Sequence, residues 1–311
     1  MERKAAYRKR VSYGKQEDIQ LYDSLKKIVE EMEISHIDFW QVILEDDIRE
    51  RGITEAESFG QMEQMYEAMC QADKAYDGTL SSASGLVGGE GSKLQKAREE
   101  GHLLCGSFLG LVMEKALKMG ESNACMRRIV AAPTAGSCGV VPAVLLSLEQ
   151  EKQFSKEQMV KALYVAAGIG GVIASRAFIA GAAGGCQAEI GAASAMAAGA
   201  AVWLMGGTGE DISHAVALSL KNLLGLVCDP VAGLVEVPCV KRNALGAVNA
   251  LMCADEAMAG IYSKIPADEV IDAMRAVGRS MPEHLRETGT GGVAATPSGM
   301  AIKEKMGRSV Q

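Results

Sequence analysis

Cys186, Cys228 and Cys239 are the residues of this chain best placed to do chemistry. Cys186 stands in GAAGGCQAEIG, and Cys228 and Cys239 share LVCDPVAGLVEVPCV. The steps between them are 42 and 11 residues, and each thiol sits beside Gly or Pro with a carboxylate close by. Three thiolates suit a cubane iron–sulfur cluster, [4Fe–4S], that keeps one iron free of protein ligation. An open iron is a Lewis acid rather than an electron carrier. Such chemistry belongs to a lyase or hydratase.

The neighbours of these cysteines support a ligand role. Gly181, Gly184 and Gly185 allow a tight turn, so a helix is expected to begin at or near Cys186. A thiolate there faces free N–H groups and the positive end of the helix dipole, which lowers its pKa. Backbone N–H groups in such turns also bond to cluster sulfides. The competing reading is an Ala/Gly packing surface with an incidental cysteine. Pro230 and Pro238 fix the chain beside the other two thiols. A zinc site would need a fourth ligand, and no His or Cys falls at the usual short spacing. Cys138, in PTAGSCG, is the one cysteine that could close the site and make it a non-catalytic scaffold. Cys70, Cys105, Cys125 and Cys253 lie in helical patterns and read as buried hydrophobes.

The elements that must hold these residues are helical almost throughout. Apolar spacing predicts helices over 17–32, from Ser35 to Gly52, and from Thr54 to about Tyr76, the last opened by a Thr54/Glu57 capping box. A Ser/Gly loop, 81–93, precedes a predicted helix from Leu94 to Met119, and Ser155 with Gln158 caps another over 156–168. Helices are further expected over 186–206, 209–225, 241–262 and 267–279, with Leu234 to Val237 the best short strand candidate. The expected fold is all-α: a helical bundle-like catalytic domain with glycine-rich loops around a metal cluster. Residues 1–15 read as a basic tail and 16–305 as a single domain. A charge shift marks 16–78 as a helical subdomain and 79–305 as the cluster-binding core.

Composition bounds the function. The chain has 311 residues, 48% of them hydrophobic but only 5% aromatic, with 35 Gly and 17 Met. Small side chains therefore make the core. A formal net charge of −7, without a basic stripe, argues against nucleic acid. Residues 129–148 and 165–206 are apolar but interrupted by Pro, Gly or charged groups, so buried helices are expected rather than membrane spans. No signal peptide is evident, and eight cysteines then point to a reducing, cytoplasmic compartment.

Over about residues 80–300 the chain resembles the α chain of bacterial iron–sulfur-dependent L-serine dehydratase. The resemblance rests on PTAGS (133–137), GAAGGCQAEIG (181–191), LKNLLGLVCDPVAGLVEVPCVKRNA (220–244) and ETGTGGVAATPSG (287–299). It implies a [4Fe–4S] cluster on Cys186, Cys228 and Cys239, and dehydration of L-serine to an enamine that decomposes to pyruvate and ammonia. It also implies a β subunit carrying a Ser/His segment, hence a hetero-oligomer with part of the site on the partner. Cys138 stands where the family pattern has alanine. Single-chain relatives end in a cysteine that caps the open iron; here the last residues are GRSVQ.

Within that frame His102 is favoured as the base over His36, His214 and His284. Thr134, Gly136 and Ser137, with Gly289, Thr290 and Gly291, are expected to bind substrate, and Arg242 to clamp its carboxylate. Glu189 and Glu236 are either supporting groups of the thiols or solvated. The alternatives are an L-cysteine desulfidase-like lyase and a closed, non-catalytic metal scaffold. A pyridoxal-phosphate lyase is disfavoured because no lysine sits in a convincing Schiff-base context.

Overall fold

The computed structural model describes residues 23–308. The basic tail and the start of the first expected helix lie outside the described residues. The chain is all-α. The N-terminal helices are α1 (Leu25–Ser35), α2 (Phe39–Arg51) and α3 (Glu55–Lys74). They are followed by α4 (Glu90–Glu99), α5 (Gly106–Ala124), α6 (Val140–Lys152) and α7 (Lys156–Arg176). The C-terminal half holds a single turn α8 (Gly181–Gly184), then α9 (Ala192–Leu204), α10 (Gly209–Leu223), α11 (Cys239–Met258), α12 (Ala267–Ser280) and α13 (Pro297–Arg308). Among the described residues there is no strand, only an isolated bridge between Cys228 and Arg286.

Local chemistry sets most boundaries. Capping boxes open α2 at Asp38/Gln41, α3 at Thr54/Glu57 and α7 at Ser155/Gln158. Ser35 ends α1 instead of opening α2, because His36 takes a left-handed conformation and its N–H returns to Met32. The single helix expected over 94–119 is two, α4 and α5. Gly101 and Gly106, both at positive φ, turn the chain between them. The segment 234–237 forms no strand. It follows a 3₁₀ turn, Val231–Gly233, and leads into α11. Helix α6 forms despite Pro142, which sits in its first turn where no internal N–H bond is lost.

Helix α9 is the axis of the molecule, with α6, α7, α10 and α11 packed around it. Every residue of α9 except Trp203 is buried. Small side chains let the neighbours close in: a Cβ on Gly199 would stand 2.2 Å from Ile169 Cδ1. One polar knot crosses this core. Ser194 Oγ donates to Gly246 O (2.8 Å) and accepts from Ser219 Oγ (2.9 Å) and Asn249 Nδ2 (2.9 Å), so these buried polar groups are satisfied. Helices α2 and α3 pack on α7, and the apolar core runs without a break from Leu25 to Met274. Helix α7 is long and apolar enough to cross a membrane by length and composition, and 61% of its apolar window is buried in the bundle.

Candidate metal centre

Two buried thiols, Cys186 and Cys228, meet beside the start of α9, and a third, Cys239, lies within their electrostatic reach at the start of α11. A break at Gly185 (φ +76°) separates α8 from the π-turn Gln187–Gly191 that runs into α9, and Cys186 opens that turn. Cys239 is the first residue of α11. Both thiols thus lie at helix starts, where the dipole favours a thiolate. Cys228 is held in extended backbone: its N–H donates to Leu285 O (2.9 Å) and its carbonyl accepts from Glu287 N (2.7 Å). The free N–H groups expected after Cys186 are partly taken, since Gln187 N donates to Leu226 O (3.0 Å) and Ala188 N to Gly185 O (3.0 Å).

The donor atoms of Cys186, Glu189 and Cys228 all lie within 4.8 Å of one another. A hydrogen bond between the two thiols holds Cys186 below the usual thiol range, with Arg242 adding to the effect, while the same contact and burial push Cys228 well above it. Burial, reinforced by the charges of Cys186 and Glu189, pushes Cys239 up to about 12. Burial also raises Glu189, against a hydrogen bond from Thr134 Oγ1 (2.7 Å) and with the help of Glu287. Two glycines make room for this carboxylate. A Cβ on Gly181 would stand 2.7 Å from Glu189 Oε2 and 2.9 Å from Cys228 Sγ, and one on Gly136 would stand 3.1 Å from Oε1.

Supporting groups tie the loops together. Asn243, on α11, donates to Gly136 O (2.9 Å) and accepts from Gly139 N (2.8 Å), fixing the 133–139 loop against the Cys239 helix. Arg242 donates to Val227 O (2.7 Å), reaches the Cys186 thiol, and stands 2.9 Å from Asp229 Oδ1 as an ion pair without hydrogen-bond alignment. Asp229 Oδ2 accepts from Val293 N (2.8 Å), which binds the 287–295 loop to the Cys228 segment. Glu236 is buried and accepts from Ser82 Oγ (2.9 Å) and Ser84 Oγ, so the Ser/Gly loop lies over the Cys239 segment.

The sequence comparisons bear on what this site is. The family described as serine dehydratase alpha chain matches residues 29–294. The chain belongs to that family. It is 47% identical to the probable L-serine dehydratase, alpha chain, of Bacillus subtilis (strain 168), over 92% of this chain and 95% of the relative. It is 40% identical to the L-serine dehydratase, alpha chain, of Peptoniphilus asaccharolyticus, over 91% and 97%. A third relative, the L-serine dehydratase TdcG of Escherichia coli (strain K12), is 41% identical over 58% of this chain but only 40% of its own length.

Within this family member the structure gathers some of the expected site residues and separates others. Thr134 and Gly136 lie against Glu189, beside the thiols. Ser137 is fully buried and shares a hydrogen bond with Thr134 Oγ1 (3.1 Å), so it shapes the loop from beneath. Thr290 is exposed and pairs with Thr288 (2.7 Å), in a loop whose Gly289 rests on Pro230 and Gly233. Arg242 points inward, with its guanidinium already engaged. His102 is 72% exposed, with Glu100 as its charged neighbour and its N–H donated to Ala97 O. Of the four histidines, His284 is the one that packs on the 287–292 loop, through Gly291. Cys138 is buried with its thiol directed to Met119 O (3.7 Å), and burial pushes it up to about 12.

Sequence reading missed Asp229, Asn243 and Glu287. The first two adjoin Cys228 and Arg242 in the long motif, which was a usable signal. Glu287 opens the ETGTGG loop, and nothing local ties it to Cys228. A separate cavity of about 370 Å³ lies between α3, α5 and α6, lined by Tyr66, Cys70, Asp73, Lys115 and Glu149. Lys115 pairs there with Asp73 and Tyr66 with Glu149, and the cavity shares no residue with the thiol site.

Proposed function

We propose that this chain is the α subunit of an enzyme that dehydrates L-serine to pyruvate and ammonia, with a [4Fe–4S] cluster held by Cys186, Cys228 and Cys239 and a β subunit as partner. The observation that carries the reading is the meeting of the buried Cys186 and Cys228 thiols, with the buried Cys239 thiol within their electrostatic reach, in a member of the serine dehydratase alpha chain family. The donor set fits in kind. Buried thiols at helix starts suit iron–sulfur groups and other soft ions, and Arg242 offsets the charge of a thiolate at Cys186. The donor atoms of Cys186, Glu189 and Cys228, within 4.8 Å of one another, would hold the group from one side, with Cys239 as the further thiol ligand. Bound there, the cluster supplies a Lewis-acidic iron that assists departure of the serine hydroxyl.

The chain's own residues do the rest of the binding. The Thr134–Gly136 turn lies against Glu189 beside the thiols, and the 287–292 loop, with Thr290, borders Cys228 through Glu287. Together they orient the serine carboxylate and amine. Arg242 acts through Cys186, lowering the cost of its thiolate. The base that takes the Cα proton is assigned to the β subunit, because His102 faces solvent beside Glu100.

The test is to purify the chain anaerobically, with and without the β-type protein. Iron and acid-labile sulfide per chain and pyruvate released from L-serine are then measured. About four of each, with pyruvate only when both chains are present, is the expected result. Stoichiometric zinc without iron would end this reading. Pyruvate from the α chain alone, abolished by His284→Ala, would move the base into this chain.

A further inference from the structure

Glu189 is a half-buried carboxylate without a cation. Its hydrogen-bond partner is Thr134, its charged neighbour Glu287 is itself acidic, and among the described residues no Lys, Arg or His pairs with it. A carboxylate partly withdrawn from water in that condition is stabilised when it meets a positive ion. The backbone is shaped to keep it there: Gly136 and Gly181 each stand where a Cβ would press on one of its two oxygens. Its oxygen lies within 4.8 Å of the thiol sulfurs of both Cys186 and Cys228. The turn that carries it places Cys186 and Glu189 three residues apart in one π-helical loop, the kind of local widening found at functional positions.

We infer that Glu189 is a fourth protein ligand of the metal group, its carboxylate holding, in the substrate-free enzyme, the iron that the three thiols leave open. This inference rests on the cluster reading above and adds to it a mixed sulfur and oxygen donor set. Thr134, donating to Oε1, is the positioning residue that leaves Oε2 to face the metal. A carboxylate ligand is harder than a thiolate and exchanges more readily, which suits a site that must admit substrate.

The test uses anaerobically purified protein with its β partner, loaded with ⁵⁷Fe and kept free of serine. Mössbauer spectra are compared for the wild type, Glu189→Gln, Thr134→Val and, as control, Glu149→Gln in the separate cavity. The expected result is a changed signal from one iron of the four in Glu189→Gln and a smaller change in Thr134→Val, with Glu149→Gln matching the wild type. Loss of that iron in air, read as growth of the three-iron EPR signal, should rise by about 10- to 100-fold in Glu189→Gln. Spectra identical to wild type in both site variants would overturn the inference and leave the cluster reading standing. So would an unchanged substrate-free spectrum with a raised KM for serine, which would make Glu189 an anchor for the substrate ammonium. If Glu189→Gln takes up no iron, Thr134→Val decides alone. A wild-type protein without iron fails the cluster reading first.

Discussion

Residues 181–191 and 192–204 are neighbours in the chain and nearly alike in composition, both rich in Ala and Gly. They do opposite things. In α9 the small side chains let four helices close around a buried axis, and Gly199 gives its space to Ile169. In the turn before it, the same residue types leave the backbone free to break at Gly185 and leave space that a carboxylate and a thiol fill. Smallness closes a helix interface where the backbone bonds are regular, and opens a ligand pocket where they are not. The two regions should therefore respond differently to the same kind of change.

The sharpest break is at the thiols themselves. Cys186→Ala or Cys228→Ala should strip iron and lower kcat/KM by at least about 1000-fold, the scale lost when an electrostatic catalyst is removed. Cys138→Ala and Cys253→Ala should keep their iron by chemical analysis. Loss of metal on Cys138→Ala would restore the closed-scaffold reading.

Alkaline stability tests the buried thiol at Cys138 by itself. The Cys138 thiol is raised from its ordinary value of 9.0 to about 12, so the folded state holds a proton that the unfolded chain releases. Its contribution is complete below about pH 9 and falls by about 1.4 kcal/mol per pH unit until about pH 12. Urea unfolding of the metal-free protein across that window should show a shallower decline for Cys138→Ala.

Arg242→Ala tests whether that guanidinium serves substrate or thiol. The structure favours the thiol, so iron retention should fall by about 10- to 100-fold. A sharply raised KM with iron intact would restore the carboxylate clamp, and unchanged kinetics would discard it. Gly181→Ala and Gly199→Ala then compare the two small-residue regions directly. Gly199→Ala should cost about 1–3 kcal/mol in chemical unfolding and keep its iron. Gly181→Ala should lose iron with little change in the unfolding midpoint of the metal-free protein. The smallest effect is expected for Thr290→Val, a rise of about 3- to 10-fold in KM for serine from one lost hydrogen bond.

How much of this was readable beforehand depends on the range of the interaction. The Thr54 and Ser155 capping boxes, the turn at Cys186 and the helices around it follow from residues within a few positions of one another, and the structure has them. The break between α4 and α5 was missed because Leu103 and Leu104 continue the apolar pattern while two glycines interrupt the backbone. The substrate residues were partly readable: the glycine-rich loops were found, but the burial of Ser137 and the inward turn of Arg242 depend on what packs behind them.

The sequence alone determined that this is a helical protein with a core of small residues and a set of thiols in glycine- and proline-marked turns. Those are properties of short stretches of chain, where spacing and backbone freedom decide the outcome. Only the tertiary structure decided that Cys186 and Cys228 touch, that Glu287 stands beside them, and that Arg242 faces Cys186. The reason is physical. These contacts join segments tens of residues apart, and their distances are set by how α9 and α11 pack, not by any local rule.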